Sequence, residues 1–400
     1  MVGIVRSKEL VARAELISGY IQLPSGKMNE LINSTPSGLM QHALRLASLT
    51  QAVTTPNPTV GCLLLDSGGA LLGQGHTQRA GGAHAEIMAL QDATSKDHLV
   101  RGATAYVTLE PCAHHGRTGP CCDALIAAGI KKVVASITDP NPLVAGQGFA
   151  RLRAAGIEVE IGLGAAESRE LNIGFFSRMI RKTPWVRLKI AASLDGTTAL
   201  ANGKSQWITS PEARADGHAW RARSCAVLTG IGTLLQDDPG LDVRLVETTR
   251  QPHRVIVDSL LQTPLDARIF NAEGQVWIYT ASKDAGKTQA LRDRGATVSH
   301  LANDSGKVDL TAMMFDLARR EVNELHVEAG HKLNGSLIRA GLVDEFLVYL
   351  APKLIGQGCD MASFGPLSDL SQAIKLEFKS TEMLGPDLRL VARISGREQF

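Results

Sequence analysis

From Leu39 onward the apolar positions switch repeatedly between two periods, and that switching predicts alternating helices and strands. Met40–Thr50 carries its apolar residues at helical spacing. Val60–Leu65 reads as a strand, Ser67-Gly68-Gly69 as a turn and Ala70–Gly75 as the returning arm of a hairpin. A helix from Ala85, a strand over Ala103–Leu109, a helix over Cys121–Ala128 and a strand over Lys132–Ile137 follow. With a helix over Gly148–Ala155 and a strand over Glu158–Ile161, they predict an α/β sandwich around one sheet.

Gly162–Thr183 reads as a polar, partly helical connector that Pro184 ends. A second α/β series starts at Trp185, with strands expected at Val186–Ala191, Ala226–Thr229, Val255–Asp258, Val276–Tyr279, Glu324–Val327 and Phe346–Leu350. Its helices are expected at Glu212–Arg223, Leu310–Arg320 and Leu333–Ala340. Two strands run into glycine turns, Thr229-Gly230-Ile231-Gly232-Thr233 and Glu328-Ala329-Gly330, that lead into helices. Unobstructed backbone N–H groups at a helix start can cradle phosphate. Neither turn has the full Gly-x-Gly-x-x-Gly spacing, so a Rossmann fingerprint is absent. The expected organisation is an extension over 1–37, a first domain with its connector over 38–183 and a second domain over 184–400. The extension reads either as loosely packed chain or as an over-long start, with Met28 or Met40 the alternative beginning.

Composition narrows the function classes. Hydrophobic residues make up 44% and charged residues 20% of the 400, as in soluble globular proteins. A net charge of +2 without a basic run, and only 4% aromatics, disfavour nucleic acid as a partner. No apolar stretch approaches the ~20 residues of a membrane span, and the first 37 residues lack a signal-peptide core. The chain is expected to be cytoplasmic and homo-oligomeric.

Chemistry concentrates at His84-Ala85-Glu86, Pro111-Cys112 and Cys121. One imidazole and two thiolates make a three-point cage for zinc, leaving a fourth corner for a water whose pKa the metal lowers. Glu86 then stands beside the cage as a proton shuttle, as in zinc deaminases that act on bases. Those usually carry Pro-Cys-x-x-Cys, whereas eight residues separate Cys112 from Cys121 here. Arg117, in that insertion, is suited to an anionic group on the substrate. His84 is expected at a helix entry with Glu86 in its first turn, and Cys121 as the opening of the next helix, whose dipole favours a thiolate. A structural zinc site needs a fourth ligand, with Cys122, His114, His115 and Cys62 as candidates.

These residues carry a family resemblance. Pro56-Asn57-Pro58-Thr59-Val60-Gly61-Cys62, Gly75-His76, His84-Ala85-Glu86, Thr108-Leu109-Glu110-Pro111-Cys112 and His115-Gly116-Arg117-Thr118 are similar to the bacterial riboflavin-biosynthesis deaminase. Leu188-Lys189-Ile190-Ala191, Ser205-Gln206-Trp207-Ile208-Thr209, Asp237-Asp238-Pro239, Val327-Glu328-Ala329-Gly330 and Leu333-Asn334-Gly335-Ser336 resemble the reductase fused to it. The resemblance implies a cytidine-deaminase-like α/β/α sandwich with zinc, followed by a dihydrofolate-reductase-like α/β domain that uses NADPH. It also implies deamination of a phosphoribosylated diaminopyrimidine to the corresponding uracil, then reduction of the ribosyl group to ribityl.

Carried over by position, His84, Cys112 and Cys121 bind zinc, and Glu86, Lys189, Asp237 and Glu328 are catalytic. Asn57, His76, Arg117, Ser205, Arg221, Leu241, Arg244 and Glu328 contact substrate. Ala191, Trp207, Thr233, Asp237, Ser259, Gly330, His331, Lys332, Leu333, Asn334, Gly335 and Ser336 contact NADPH. His331-Lys332 depart from the proline-containing pair usual there. The rival readings are a deaminase of another base with a degenerate second half, or a zinc-stabilised nucleotide-binding regulatory protein.

Overall fold

The computed structural model describes residues 35–114 and 119–400. The chain divides into two compact units, Met1–Arg181 and Lys182–Phe400.

The first unit is built on a five-stranded sheet of order β2-β1-β3-β4-β5. Its strands are β1 (Gly61–Leu65), β2 (Leu71–His76), β3 (Thr104–Val107), β4 (Lys132–Ala135) and β5 (Glu158–Ile161). The hairpin β1–β2 is antiparallel, β1 and β3 are antiparallel, and β3, β4 and β5 run parallel. Helix α1 (Pro36–Ser48) begins four residues earlier than its apolar spacing indicates, because Thr35 caps it through Gly38 N and Pro36 suits the first turn. It packs Leu39, Met40, Ala43, Leu44 and Ala47 against Leu63, Leu65, Tyr106 and Val134.

Helix α2 (Ala85–Ser95) lies close against β2, where a Cβ on Gly73 would meet Ala89 O at 2.3 Å and one on Gly75 would meet Ala85 O at 2.6 Å. Glycine on the strand and alanine on the helix let the two backbones approach, which fixes where α2 begins. Helix α3 (Cys121–Ala127) and helix α4 (Gln147–Ala154) follow. The expected connector is two short helices, α5 (Ala165–Leu171) and α6 (Ile173–Arg181).

The second unit carries a nine-stranded sheet of order β11-β10-β9-β8-β12-β6-β13-β16-β15. The strands are β6 (Trp185–Ser193), β8 (Ala226–Gly230), β9 (His253–Val257), β10 (Val276–Thr280), β11 (Ala296–His300), β12 (Glu324–Val327), β13 (Glu345–Ala351), β15 (Leu376–Leu384) and β16 (Asp387–Ile394). From β11 to β13 every neighbouring pair is parallel; β16 and β15 are antiparallel additions. A small separate sheet pairs β7 (Thr197–Leu200) with β14 (Gly358–Asp360). The helices are α7 (Pro211–Arg223), α8 (Ile231–Asp237), α9 (Ala285–Asp293), α10 (Leu310–Arg319) and α11 (His331–Arg339). The return of the chain from edge strand β11 to β12, between β8 and β6, leaves a crevice at the carboxyl ends of the central strands, the usual place for a ligand in such sheets.

The core of this unit is not wholly apolar. Arg187, 1% exposed, reaches Glu345 Oε1 at 2.5 Å and Glu324 Oε2 at 2.9 Å. Arg393 Nη2 meets Glu345 Oε2 at 2.8 Å and Arg223 Nε meets Glu324 Oε2 at 3.0 Å. The Trp220 ring receives the guanidinium groups of Arg187 and Arg223 at 4.3 and 5.3 Å. Burial works against charge on Glu345, but Arg187 and Arg393 outweigh it and hold its pKa at about 2. A depressed folded-state pKa stabilises the fold above the unfolded value and loses that effect as pH falls through the folded one.

Glu345→Gln leaves two arginines facing a neutral partner and is expected to destabilise the second unit by about 3–5 kcal/mol. Urea unfolding followed at pH 7 and at pH 3 checks this, the deficit shrinking at the lower pH.

Candidate active sites

Three elements converge in the first unit. His84 is the N-cap of α2, Cys112 lies in the segment after β3, and Cys121 is the first residue of α3. The His84 Nδ1 atom lies 3.3 Å from Cys121 Sγ and 3.6 Å from Cys112 Sγ, and all three ligand atoms fall within 4.8 Å of one another. Zn–N and Zn–S bonds of the usual length at a tetrahedral angle set such atoms roughly 3.5–3.8 Å apart, so the donor set fits zinc. Cys122 is turned away, its Sγ directed at Pro111 O (3.2 Å) and Gly148 O (3.5 Å). Cys62 is fully buried in β1. Among the described residues only His84, Cys112 and Cys121 form such a cluster, leaving an open fourth corner as in catalytic sites.

The first N–H of α3 does not serve its own thiol. Cys121 N donates to Cys112 Sγ at 3.3 Å. The Cys112 pKa is pushed down to about 4 by the hydrogen bond from the Cys121 thiol, with His84 adding to it against desolvation, while that same bond and burial push Cys121 up. The helix terminus thus directs its first N–H to the Cys112 sulfur as well as placing Cys121 at its start. Glu86, in the first turn of α2, is 3% exposed, and burial followed by the nearby Cys112 charge raises its carboxyl to about 7. A carboxyl poised near neutrality can take and return a proton.

A second buried carboxylate holds the frame. Glu110, two residues before Cys112, accepts the N–H groups of Asp139 (3.1 Å), Gly146 (2.9 Å), Gly148 (2.9 Å) and Phe149 (3.3 Å). It lies within the Thr108–Cys112 motif yet has no role in the sequence reading; four backbone donors from the loop before α4 and from its first turn leave no local signal. His76 ends β2, its Nδ1 3.1 Å from Gln78 Nε2, and Asn57 is half-buried in the turn before β1. Arg117 lies outside the described residues.

In the second unit, Lys189, Trp207, Arg221, Arg244 and Glu328 line one cavity of about 610 Å³, together with Thr209, Arg214, His218 and Tyr349. Glu328, just past the end of β12, is gripped by Arg221 through both oxygens, with Nη2 to Oε2 at 2.8 Å. Lys189 Nζ, on β6, stands 4.0 Å from Oε2. Burial opposes charge on Glu328, yet the Arg221 guanidinium holds its pKa well below the carboxylate range; burial lowers that of Lys189. Desolvation, reinforced by Arg221, also lowers His218 to about 4. An amine with a lowered pKa beside a fixed anion is suited to proton transfer.

The two glycine turns meet beside this cavity. Glu328 N donates to Leu228 O at 2.8 Å and Thr229 Oγ1 to Glu328 O at 2.7 Å, so the turns after β8 and β12 lie side by side. Helices α8 and α11 start at Gly230 and Gly330, and no side chain caps either. Thr233 Oγ1 would lie 3.7 Å from a Cβ on Gly330. Free N–H groups on adjoining helix starts fit the phosphates of a dinucleotide. Ala191 lies on β6 two residues beyond Lys189, on the same strand face, and His331, Lys332 and Leu333 form the first turn of α11. Asn334 and Gly335 are turned instead to packing: Asn334 Nδ2 donates to Met361 O, and a Gly335 Cβ would strike Ser363 O at 1.9 Å. Ser336 Oγ donates to Lys332 O.

Beyond the residues of the two turns, Leu241, Asp237, Ser259 and Ser205 also lie apart from the cavity lining. The Leu241 side chain is 2% exposed in the core with Val227, Leu234 and Ile256, which leaves only its backbone for a ligand. Asp237 ends α8 as an exposed residue. Ser259 accepts Val308 N at the far side of β9, and Ser205 is half-buried in the loop before Trp207. His218, Arg214 and Tyr349 are additions that only the fold reveals, since they come from α7 and β13.

Comparison with known proteins matches this division. Residues 33–137 match the cytidine and deoxycytidylate deaminase zinc-binding region, and residues 184–390 match the RibD C-terminal domain. The riboflavin biosynthesis protein RibD of Escherichia coli (strain K12) is 45% identical over 366 residues, covering 88% of this chain and 97% of that one. The chain belongs to the RibD family. The Aquifex aeolicus RibD is 40% identical, covering 90% of this chain and 98% of the relative. The solved Acinetobacter baumannii RibD superposes with a TM-score of 0.81 at 40% identity, covering 89% of this chain and 98% of that one. The Thermotoga maritima diaminohydroxyphosphoribosylaminopyrimidine deaminase/5-amino-6-(5-phosphoribosylamino)uracil reductase does so with a TM-score of 0.80 at 34% identity, covering 90% and 98%. As a RibD protein the chain is a bifunctional enzyme of riboflavin biosynthesis, with a zinc-binding deaminase unit and an NADPH-using reductase unit.

A Cβ on Gly148 would meet Pro111 O at 2.0 Å. Gly148→Ala is therefore expected to displace the Pro111–Cys112 segment and weaken zinc retention about tenfold or more against a chelator, with reductase activity unchanged; metal analysis after graded chelation checks it.

Proposed function

We propose that His84, Cys112 and Cys121 hold the zinc, that Glu86 moves the protons of deamination, and that Lys189 and Glu328 serve the reduction. The substrate of the first unit is 2,5-diamino-6-(5-phosphoribosylamino)pyrimidin-4(3H)-one. Its product, 5-amino-6-(5-phosphoribosylamino)uracil, is reduced in the second unit to the ribityl compound. The observation that carries this reading is the pair of built sites: a three-donor cluster beside a buried carboxyl near neutrality, and a Lys–Glu pair in a cation-lined cavity flanked by two open helix starts.

Zinc bound by the three donors supplies Lewis acidity that makes a water nucleophilic near neutral pH. Glu86 accepts a proton from that water and returns it to the departing amino group, the burial that raises its pKa making both transfers accessible. Asn57 and His76 hold the ring or ribose, and Arg117 the phosphate. The Gly230 and Gly330 turns would hold NADPH, which would supply hydride to the opened ribose. Lys189 Nζ then holds the proton that the reduced carbon's neighbouring heteroatom requires, with Glu328 fixing the amine 4.0 Å away. Arg244, whose side chain is 48% exposed at the cavity, is available to the ribose phosphate. The Arg221 guanidinium donates to Glu328 and to Asp242 O (2.8 Å), so it orients the carboxylate as well as facing the substrate. The intact cavity argues against a degenerate second half.

No helix among the described residues is long and apolar enough to cross a membrane. None of the six cysteines is in a disulfide, which supports a cytoplasmic location. Edge strand β15, with Phe378 71% and Met383 61% exposed, supports a homo-oligomer.

Glu86→Gln is expected to keep zinc and lower ammonia release by about 10²–10⁴-fold; unimpaired release would remove Glu86 from the mechanism. Cys121→Ser is expected to lose metal and deamination while the reductase still oxidises NADPH with the aminouracil; metal analysis and absorbance at 340 nm would show both. Glu328→Ala is expected to stop NADPH oxidation and leave ammonia release unchanged, and normal oxidation would show the assignment wrong.

A further inference from the structure

A polar side chain that neither the mechanism nor the ion lattice uses lies between the two. Glu324 and His326 on β12, with Glu328 one residue beyond its end, alternate onto one face of the sheet, and Arg187 on β6 stands in register with His326, two residues before Lys189. Glu324 belongs to the buried lattice and Glu328 to the cavity. His326 joins them at 0% exposure, and neither ring nitrogen has a hydrogen-bond partner of ordinary geometry. The Glu328 carboxylate lies beside it, Oε1 3.4 Å from Nε2.

A buried polar group without a partner is unfavourable, and an apolar residue of similar volume would fill the same space more easily. Desolvation lowers the imidazole's pKa and keeps it neutral, so one ring nitrogen carries a hydrogen and one does not. Arg221 fixes the Glu328 carboxylate within its own plane from the α7 side. A donor from the strand side fixes its tilt. We propose that His326 is a positioning residue of the reductase, its Nε2–H directed at Glu328 Oε1 so that Oε2 stays facing Lys189. The inference rests on the assignment of Glu328 to the reduction.

The test supplies the full chain with 5-amino-6-(5-phosphoribosylamino)uracil and NADPH, comparing His326→Leu, His326→Gln and Glu328→Gln. A hydrogen bond to a charged group corresponds to about a tenfold to hundredfold effect on rate. His326→Leu is expected to lower kcat by that factor while KM for both substrates stays within about twofold. His326→Gln, which restores an N–H donor, is expected to recover most of the loss, and ammonia release is expected to remain at the wild-type rate in both. A wild-type kcat in His326→Leu, or equal losses in the leucine and glutamine variants, would overturn the proposal while leaving Glu328 in place if Glu328→Gln is inactive. A wild-type rate in Glu328→Gln would remove the reading of Glu328, and the proposal with it.

Discussion

A carboxylate taken out of water must be met by donors or give up its charge, and both units are organised around that constraint. Glu110 is met by four backbone N–H groups, and the loop and first turn of α4 that supply them are thereby fastened behind Pro111–Cys112. Glu86, close by, is raised to about 7 by burial and by the nearby Cys112 charge. One buried carboxylate thus holds structure, while the other is placed to carry a proton. In the second unit Glu324 and Glu345 are met by Arg187, Arg223 and Arg393 deep in the core. Glu328 is met by Arg221 at the cavity, where the remaining side of its carboxylate faces Lys189.

The two sites reach the same end by different local means. Zinc's donors come from places where the backbone is already fixed: a helix N-cap, the segment after a strand and the first residue of another helix. Close packing of α2 on β2, permitted by Gly73 and Gly75, sets His84 and Glu86 in one frame. The reductase cavity instead opens where the chain returns from β11 to the middle of the sheet, which sets two glycine turns side by side and leaves their N–H groups uncapped. In each case the rigid element ends where the chemistry begins.

Much of this was legible in the sequence because metal ligation and short buried strands leave local marks. Glu158–Ile161 and Glu324–Val327 are observed at the bounds their patterns indicate, and His84 and Cys121 open helices as expected. Strand β15 leaves little mark in the sequence, since most of its side chains are exposed and its charged residues break the apolar alternation. Helix α9 and strand β11 are faint in the sequence for a related reason: α9 buries only Leu291. The bond between Arg221 and Glu328 joins residues 107 apart in sequence, and the burial of Leu241 follows from tertiary packing; neither leaves a local pattern.

The central claim is that one chain performs deamination and then reduction on a single phosphoribosylated pyrimidine. Mass spectrometry of the products formed from the diaminopyrimidine, with and without NADPH, tests it most directly. The account predicts replacement of an amino group by oxygen without NADPH, and a further gain of two hydrogens when NADPH is present. Recovery of unchanged diaminopyrimidine, or reduction without prior loss of the amino group, would contradict it.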